Sequence, residues 1–176
     1  MSKPVSKQSK QSKQSKLKLA KRVGTKPITN PLPPHLQHNQ HSPREIYHAL
    51  ADWMFNVFPK SREHETCISV PTSRAMWLDE NIKNTPKDGF MPPPPKSREF
   101  AHLHKDGSIH VCLPQKDIDA IFDAKWGEPH PYKKHGVNEI LVYAPQNKKE
   151  MVTLKQVIVA SYEYLTNETY LPTYQR

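Results

Sequence analysis

Hydrophobic residues recur at helical spacing in three stretches of the chain, residues 42–58, 115–125 and 147–167. The first stretch carries a single apolar stripe, formed by Ile46, Leu50, Trp53, Met54 and Val57. The third opens with Asn147 and Glu150, a spacing that suits a capped helix N-terminus. These patterns predict three amphipathic helices whose apolar sides face a common core.

Short runs rich in β-branched and aromatic residues predict strands between the helices. Two runs lie at residues 66–71 and 75–80, two more within residues 98–114, and the last at residues 138–145. The predicted order is therefore α-β-β-β-β-α-β-α. This order is typical of a single small α+β domain, in which helices pack against an antiparallel sheet.

The predicted domain spans residues 42–167 and contains one long loop. Residues 79–97 lack hydrophobic periodicity and include four consecutive prolines, which cannot sit inside a sheet. Residues 168–176 follow the last helix as a short C-terminal tail.

Residues 1–41 are predicted to form a disordered basic tail. They begin with the repeat SKQSKQSKQSK and continue as a Pro-rich stretch, so they offer little apolar surface to bury. Nine of the 26 Lys and Arg residues fall within residues 1–40, which contain no Asp or Glu. The other 17 basic residues equal the 17 acidic ones, so the domain is formally neutral. The tail can be a solubilising arm, or it can make a weak, salt-sensitive contact with an anionic partner, and its His35, His38 and His41 are expected to face solvent.

The remaining composition excludes several classes of protein. Two cysteines in 176 residues do not make a disulfide framework, which favours a reducing compartment and a cytoplasmic location. The sequence has neither an apolar run long enough for a transmembrane helix nor the apolar core of a secretory signal.

Residues 98–114, REFAHLHKDGSIHVCLP, hold three histidines around a turn. A two-residue Asp-Gly turn would place His110 on the opposite face from His102 and His104. A three-residue turn with a left-handed Gly107 would instead pair His102 with His110 and gather all three rings on one face. The second register is favoured, because it leaves a wholly apolar opposite face for the core.

Three interpretations of this histidine face remain open. It can be a polar sheet surface whose rings bond to their neighbours. It can hold a divalent metal through His102, His104 and His110. It can also supply a neutral imidazole as a general base. Simple alternation places Glu99 on the other face, which leaves no carboxylate beside the rings.

The motifs REFAHLH, SIHVCLP, WGEPHP, LVYAPQN and ASYEYLTN occur here in the order seen in the fungal luciferase family. The chain resembles that family over about residues 98–167, and more weakly back to about residue 66. Its domain also occurs in bacterial proteins of unassigned activity. The matching residues are Arg98, Glu99, His102, His104, His110, Trp126, Gly127, His130, Pro131, Tyr143, Asn147 and Tyr164.

The resemblance implies an oxygenase that acts on a small enolic or aromatic substrate. Fungal luciferases oxidise a hydroxylated pyrone with O₂, and a peroxide intermediate loses CO₂ and emits light. No metal or flavin is known to be needed, so no cofactor is favoured here and a divalent metal is the alternative.

In this hypothesis the catalytic residues are His102, His104 and His110, with His102 or His110 as the general base. The substrate-binding residues are Arg98, Trp126, His130 and Tyr143. The alternative functions are a non-catalytic binding protein for a small molecule or a metal, and an interaction module tethered by its basic tail.

Overall fold

The computed structural model of the protein describes residues 17–91 and 97–170. Its helices are α1 (Arg44–Asn56), α2 (Gln115–Asp123) and α3 (Lys148–Thr166). Its strands are β1 (Ser61–Glu65), β2 (Arg74–Leu78), β3 (Glu99–Leu103), β4 (Ile109–Cys112), β5 (Gly127–Pro129) and β6 (Glu139–Val142). The predicted α+β order is confirmed, with the short β5 added between α2 and β6.

All six strands form one antiparallel sheet in the order β1-β2-β3-β4-β6-β5. The apolar side chains of β3 and β4, Ala101, Leu103, Ile109 and Val111, join the core that α1 and α3 cover. At the start of α3, the Asn147 side chain accepts the backbone N–H of Glu150 at 3.0 Å, which confirms the predicted cap. The helices thus leave the histidine side of the sheet for other segments.

The prediction of a strand at residues 66–71 is wrong. The strand lies just before it, in β1, whose largely exposed and polar sequence SREHE shows no hydrophobic alternation. In the segment that follows, the Thr66 hydroxyl accepts the backbone N–H of Ser69 at 3.0 Å, which closes a local turn. The backbone N–H of Cys67 donates to the Glu99 carboxylate at 2.8 Å instead of to a neighbouring strand.

The prediction of disorder through residue 41 is also wrong for residues 17–41, which pack against the domain. Arg22 and Gln37 are buried, and the backbone N–H of Arg22 donates to Ala124 O at 2.8 Å. The side chain of Gln37 accepts the backbone N–H of Ala144 at 3.1 Å. His35 is only 4% exposed, whereas His38 and His41 face solvent as expected. Residues 1–16 of the predicted tail lie outside the described residues.

The loop predicted at residues 79–97 contains no helix or strand in its described part, residues 79–91 and 97. It is nevertheless packed, because Met91 is buried and its N–H donates to Glu99 O at 2.8 Å. Of the predicted C-terminal tail, residues 168–170 contact the domain, where the Tyr170 ring packs on Phe58. Residues 92–96 and 171–176 lie outside the described residues. Among the described helices, none combines the length and apolar character that crossing a bilayer requires.

The close contact between the β3–β4 turn and Ser42 leads to a prediction about the stability of the fold. Gly107 adopts φ +94°, and a Cβ added there would lie 2.1 Å from Ser42 Oγ. We expect Gly107→Ala to lower the free energy of unfolding by about 3 kcal/mol, through backbone strain plus overpacking. Urea denaturation at neutral pH measures this effect.

Gly136→Ala is the matched control for Gly107→Ala. Gly136 has φ +87°, but an added Cβ would meet no heavy atom within 4 Å. Only backbone strain remains, so the expected loss is about 1 kcal/mol. Equal losses in the two variants would contradict the close contact between the turn and Ser42.

Candidate functional site

The β3–β4 hairpin gathers the three predicted imidazoles on one face. His102 pairs directly with His110, and His104 N donates to Ser108 O at 2.9 Å across the turn. The left-handed Gly107 makes this three-residue turn possible. The ring centroids of the three histidines lie 4.9–5.0 Å apart. The favoured register is therefore confirmed.

These rings face a cavity of about 350 Å³, here called the histidine cavity. Two covering segments supply its apolar side, one from the N-terminal part of the chain and one that follows β1. The lining residues are Pro33, Pro34, His35, Leu36, Ile68, Ser69, Val70, His102, His104, His110, His130 and Glu139. The histidine cavity thus brings together four predicted site residues, His102, His104, His110 and His130.

The expectation that Glu99 faces away from the histidines is wrong. The pairing between β2 and β3 shifts at a bulge, where Met76 opposes Ala101 but Trp77 opposes Glu99. The extra residue, Phe100, lies in the hydrophobic core, and alternation along β3 is broken there. The buried Glu99 carboxylate therefore reaches His102 Nδ1, at 2.8 Å.

His102 belongs to a continuous chain of five side chains, here called the carboxylate–histidine chain. It runs Glu99, His102, His110, His35, Glu128. The links are Glu99 Oε1 to His102 Nδ1 at 2.8 Å, His102 Nε2 to His110 Nδ1 at 3.0 Å, His110 Nε2 to His35 Nδ1 at 3.2 Å, and His35 Nε2 to Glu128 Oε1 at 2.8 Å. Both ring nitrogens of each of its histidines are therefore engaged.

His104 differs from the other cavity histidines because one of its nitrogens is open. Its Nδ1 bonds to Ser108 Oγ at 2.8 Å, whereas its buried Nε2 has no partner among the described residues. Burial, followed by the charges of His102 and His35, holds the pKa of His104 well below 6.5. At neutral pH, His104 is therefore a neutral imidazole whose Nε2 can accept a proton.

Glu139 carries the second open atom of the cavity. Its Oε1 accepts from His130 Nε2 at 3.0 Å, and its buried Oε2 has no partner among the described residues. Burial, and then the charge of Glu99, raises the pKa of Glu139 to about 8. Near pH 7 it is therefore mainly a neutral acid that can donate a proton from Oε2.

The orientation of His130 is fixed from both sides. Its Nδ1 accepts the backbone N–H of Tyr132 at 3.1 Å, so the ring proton lies on Nε2 and points at Glu139. Burial, and then the charge of His35, lowers the pKa of His130 to about 4. The cavity thus contains the neutral imidazoles of His104 and His130 beside one protonated carboxyl group.

These shifted pKa values predict that the fold loses stability in acid. Below pH 6.5 the unfolded chain protonates the equivalents of His104, His110 and His130, whereas the folded protein keeps them neutral until lower pH. Each adds a slope of about 1.4 kcal/mol per pH unit, and the raised pKa of Glu139 opposes with one such slope. Because an unfolded histidine is only half protonated at pH 6.5, the net expectation is a fall of about 2 kcal/mol per unit, averaged between pH 6.5 and 5.

Urea denaturation at pH 7.5, 6.5, 5.5 and 5.0 measures this slope. In His104→Gln the fall should be shallower by about 1.4 kcal/mol per pH unit. In His48→Gln, which removes an exposed histidine, the slope should match the unsubstituted protein. A stability that is flat or that rises on acidification would show that the buried rings are not neutral.

Three of the predicted substrate-binding residues are not among the residues that line the histidine cavity. Arg98 donates to the carbonyl oxygens of Leu78, Asp79 and Ile82 at 2.7–2.9 Å, so it holds backbone segments together. Trp126 is buried, and its Nε1 donates to Ala20 O at 2.8 Å.

The Tyr143 hydroxyl donates to Glu128 Oε2 at 3.0 Å, beside a second cavity. The second cavity has a volume of about 490 Å³. Its lining residues are Arg22, Gly24, Lys26, Phe122, Lys125, Gly127, Glu128, Pro129 and Tyr143. Glu128 forms an ion pair with Lys26, whose side chain is 65% exposed. Burial opposes ionisation of Glu128, but hydrogen bonds from His35, Lys26 and other donors outweigh it and lower its pKa to about 2.

Two groups of three histidines bring one nitrogen per ring within 4.8 Å of one another, a spacing that a metal ion can use. One is the predicted set His102, His104 and His110, and the other is His35, His110 and His130. In this structure His104 Nε2 is the only open nitrogen of these five rings within the described residues. A metal held by the predicted set would have to replace the hydrogen bond between His102 and His110.

Sequence reasoning missed His35, Glu99, Glu128 and Glu139 as members of the site. His35 and Glu128 come from segments 93 positions apart along the chain, so no local pattern joins them. For Glu139 a signal existed, because an acidic residue opens an otherwise apolar strand in NEILVYAP.

Comparison with known proteins identifies a matching domain. A family model described as a luciferase domain matches residues 97–161, which include β3, β4, α2, β5, β6 and most of α3. His35 lies outside the matched range. No solved structure matches the chain.

The relatives are fungal luciferases. The luciferase of Armillaria mellea is 27% identical over 169 residues, which is 85% of this chain and 62% of the relative. Luciferases of Armillaria gallica and Neonothopanus nambi are 33% and 32% identical over 78 residues, 40% of this chain and 29% of each relative. The chain therefore spans about three fifths of the longest-matching relative. Residues 97–161 therefore match a luciferase domain, and the chain is similar to fungal luciferases.

Proposed function

We propose that the protein is a luciferase-like oxygenase, which adds O₂ to a small enolic or aromatic molecule bound in the histidine cavity. The observation that supports it most is the pair of open atoms in this cavity, His104 Nε2 and Glu139 Oε2. One belongs to a neutral base and the other to a neutral acid at pH 7, because burial moves their pKa values in opposite directions. Such a pair is the usual basis of acid–base catalysis.

The proposed reaction uses both groups and needs no further reactant. His104 Nε2 removes the proton of the enolic hydroxyl group, which leaves an electron-rich enolate. The enolate transfers electrons to O₂, and a bond forms between its nucleophilic carbon and one oxygen atom. The distal oxygen takes the proton of Glu139, so the product is a hydroperoxide. The proton held by His104 then restores Glu139, directly or through solvent.

The size and lining of the cavity suit such a substrate. A volume of about 350 Å³ lies at the lower end for small-molecule sites and fits a molecule of one or two rings. Pro33, Pro34, Ile68 and Val70 offer apolar contact opposite the imidazoles. Luciferase activity of the relatives is consistent with this class of substrate.

Metal binding is the second candidate function, and the convergence of His102, His104 and His110 favours it. The far nitrogen of each ring already meets a partner, Glu99, Ser108 or His35, as is usual for histidines that ligate metals. We place the metal-free reaction first, because four of the five cavity rings have both nitrogens in hydrogen bonds.

Oxygen consumption by the full chain tests the first candidate. The protein, after metal analysis and treatment with a chelator, is mixed with a panel of hydroxypyrones and catechol-like enols while light emission is recorded. Uptake of O₂ that survives chelation supports the proposal. Absence of uptake across the panel, or uptake that requires one equivalent of zinc, iron or copper, favours the second candidate.

A further inference from the structure

The carboxylate–histidine chain reaches from one cavity to the other. His102, His110 and His35 line the histidine cavity, whereas Glu128 lines the second cavity. Its other end, Glu99, is fully buried. Glu128 is the end of the chain that meets an exposed charge, since it is paired with Lys26.

The number of protons that this chain needs follows from its links. It has four links, and each link needs one proton between its two heavy atoms. Three neutral imidazoles supply three protons, and two carboxylates supply none. All four bonds therefore require a fourth proton, held on a ring or on a terminal carboxyl group.

The pKa of Glu128, lowered to about 2, keeps this fourth proton away from Glu128 in the resting protein, but a second arrangement also satisfies every link. If it lies at the Glu128 end, each ring proton points toward Glu99. If it lies at the Glu99 end, each ring proton points toward Glu128. The two forms interconvert by a short shift of one proton in each link, with no movement of heavy atoms.

We propose that His35 and Glu128 complete a proton relay, which exchanges protons between the histidine cavity and the Lys26 side of the second cavity. The relay rests on the proposed function for its role, because restoring His104 and Glu139 through solvent requires proton exchange with a buried cavity. His35 and Glu128 are positioning residues, since they act through His110. When the link between His102 and His110 opens, His110 Nδ1 can take a proton from the cavity. The N–H proton of His110 then moves to His35 Nδ1, the Nε2–H proton of His35 moves to Glu128, and one proton leaves from Glu128.

The test follows the ring N–H protons of His102 and His110 in the substrate-free full chain. With ¹⁵N-labelled histidine, NMR measures their exchange with water and the protonation of each ring nitrogen. Glu128→Gln preserves shape but removes the terminal proton acceptor. We expect exchange to slow about tenfold or more, and His35 Nε2 to change from a donor to an acceptor, which takes the N–H of the introduced side-chain amide.

A purely structural role for Glu128 predicts the opposite sign, because loosening the site would speed exchange. Unchanged or faster exchange in Glu128→Gln overturns the relay. So does a wild-type protein in which one of the four links lacks its proton, or a stoichiometric metal that replaces these protons. Glu63→Gln, which removes an exposed carboxylate paired with Arg74, should leave exchange unchanged.

This experiment separates the relay from the proposed function. It uses no substrate, so slowed exchange supports the relay whether or not any enol is oxidised. Oxygen uptake with normal exchange in Glu128→Gln would retain the oxygenase and reject the relay.

Discussion

Replacing His104 by glutamine is expected to lower the rate of oxygen uptake by about 10²- to 10⁴-fold, the usual contribution of a general base. Glutamine keeps a polar group beside Ser108 but cannot accept a proton near pH 7. Its amide replaces the one open imidazole nitrogen that the described part of the cavity offers. Initial rates with the best enol of the panel, at saturating O₂, measure the effect.

The pH profile of kcat/KM provides a second test of this prediction. In the unsubstituted protein the profile should fall on the acid side only well below pH 6.5, where His104 gains its proton, since burial lowers the pKa of His104. It should fall again above pH 8, where Glu139 ionises. His104→Gln should lose the acid limb and keep the alkaline limb, whereas Glu139→Gln should do the reverse.

His48→Gln is the control, because His48 is exposed and does not line the histidine cavity. It should leave both the rate and the profile unchanged. A His104→Gln variant that folds and turns over at the normal rate would assign the base to another residue. An unchanged acid limb at a reduced rate would mean that His104 shapes the cavity without taking the proton.

The part of the site that lies on one hairpin could be predicted from the sequence. Alternation of polar and apolar residues on both sides of one glycine fixes the register, and the register fixes where His102, His104 and His110 point. The helices could be predicted for the same reason, since each has an apolar stripe of its own. Local periodicity carries this information because the neighbours that matter are close in sequence.

Two other parts could not be predicted, for different physical reasons. Strand β1 is an exposed edge strand without apolar alternation, so its pairing with β2 leaves no mark in its own sequence. Glu99 lies beside His102 only because a bulge in β3 breaks the period of two. A bulge depends on how a strand pairs with its neighbour, and the sequence REFAHLH alone does not indicate it.

The histidine of the N-terminal segment shows a third limit. Composition describes residues 17–41 as a polar, Pro-rich chain, yet the part around His35 covers the polar face of the sheet. A polar face offers this part little apolar area to bury. Specific hydrogen bonds hold it there, including the 3.2 Å contact between His35 and His110 and the 2.8 Å contact between His35 and Glu128. Pairs of this kind are visible only in three dimensions.

Replacing Glu99 by glutamine is expected to lower the free energy of unfolding by roughly 3 kcal/mol at pH 7. The fully buried Glu99 carboxyl group forms three hydrogen bonds, with the Thr66 hydroxyl, the Cys67 backbone N–H and His102 Nδ1, at 2.8–2.9 Å. Glutamine is uncharged, and its NH₂ group can replace one carboxyl oxygen only where Thr66 and His102 each turn a lone pair toward it. The hydrogen bonds of this buried group are then weakened or rearranged, and so is the anchor of the turn that follows β1. Urea denaturation measures the loss.

Glu63→Gln on the neighbouring β1 strand is the matched control for Glu99→Gln. The Glu63 carboxylate also binds a cationic partner, Arg74, at 2.6 Å, but the two side chains are 42% and 35% exposed. An exposed pair of this kind contributes at most about 1 kcal/mol, so the control should lose less than that. The contrast follows from burial, because water can replace the partner of Arg74 but cannot reach the donors around Glu99. Equal losses in the two variants would show that the Glu99 site opens to solvent and that its hydrogen bonds do not hold the histidine face in place.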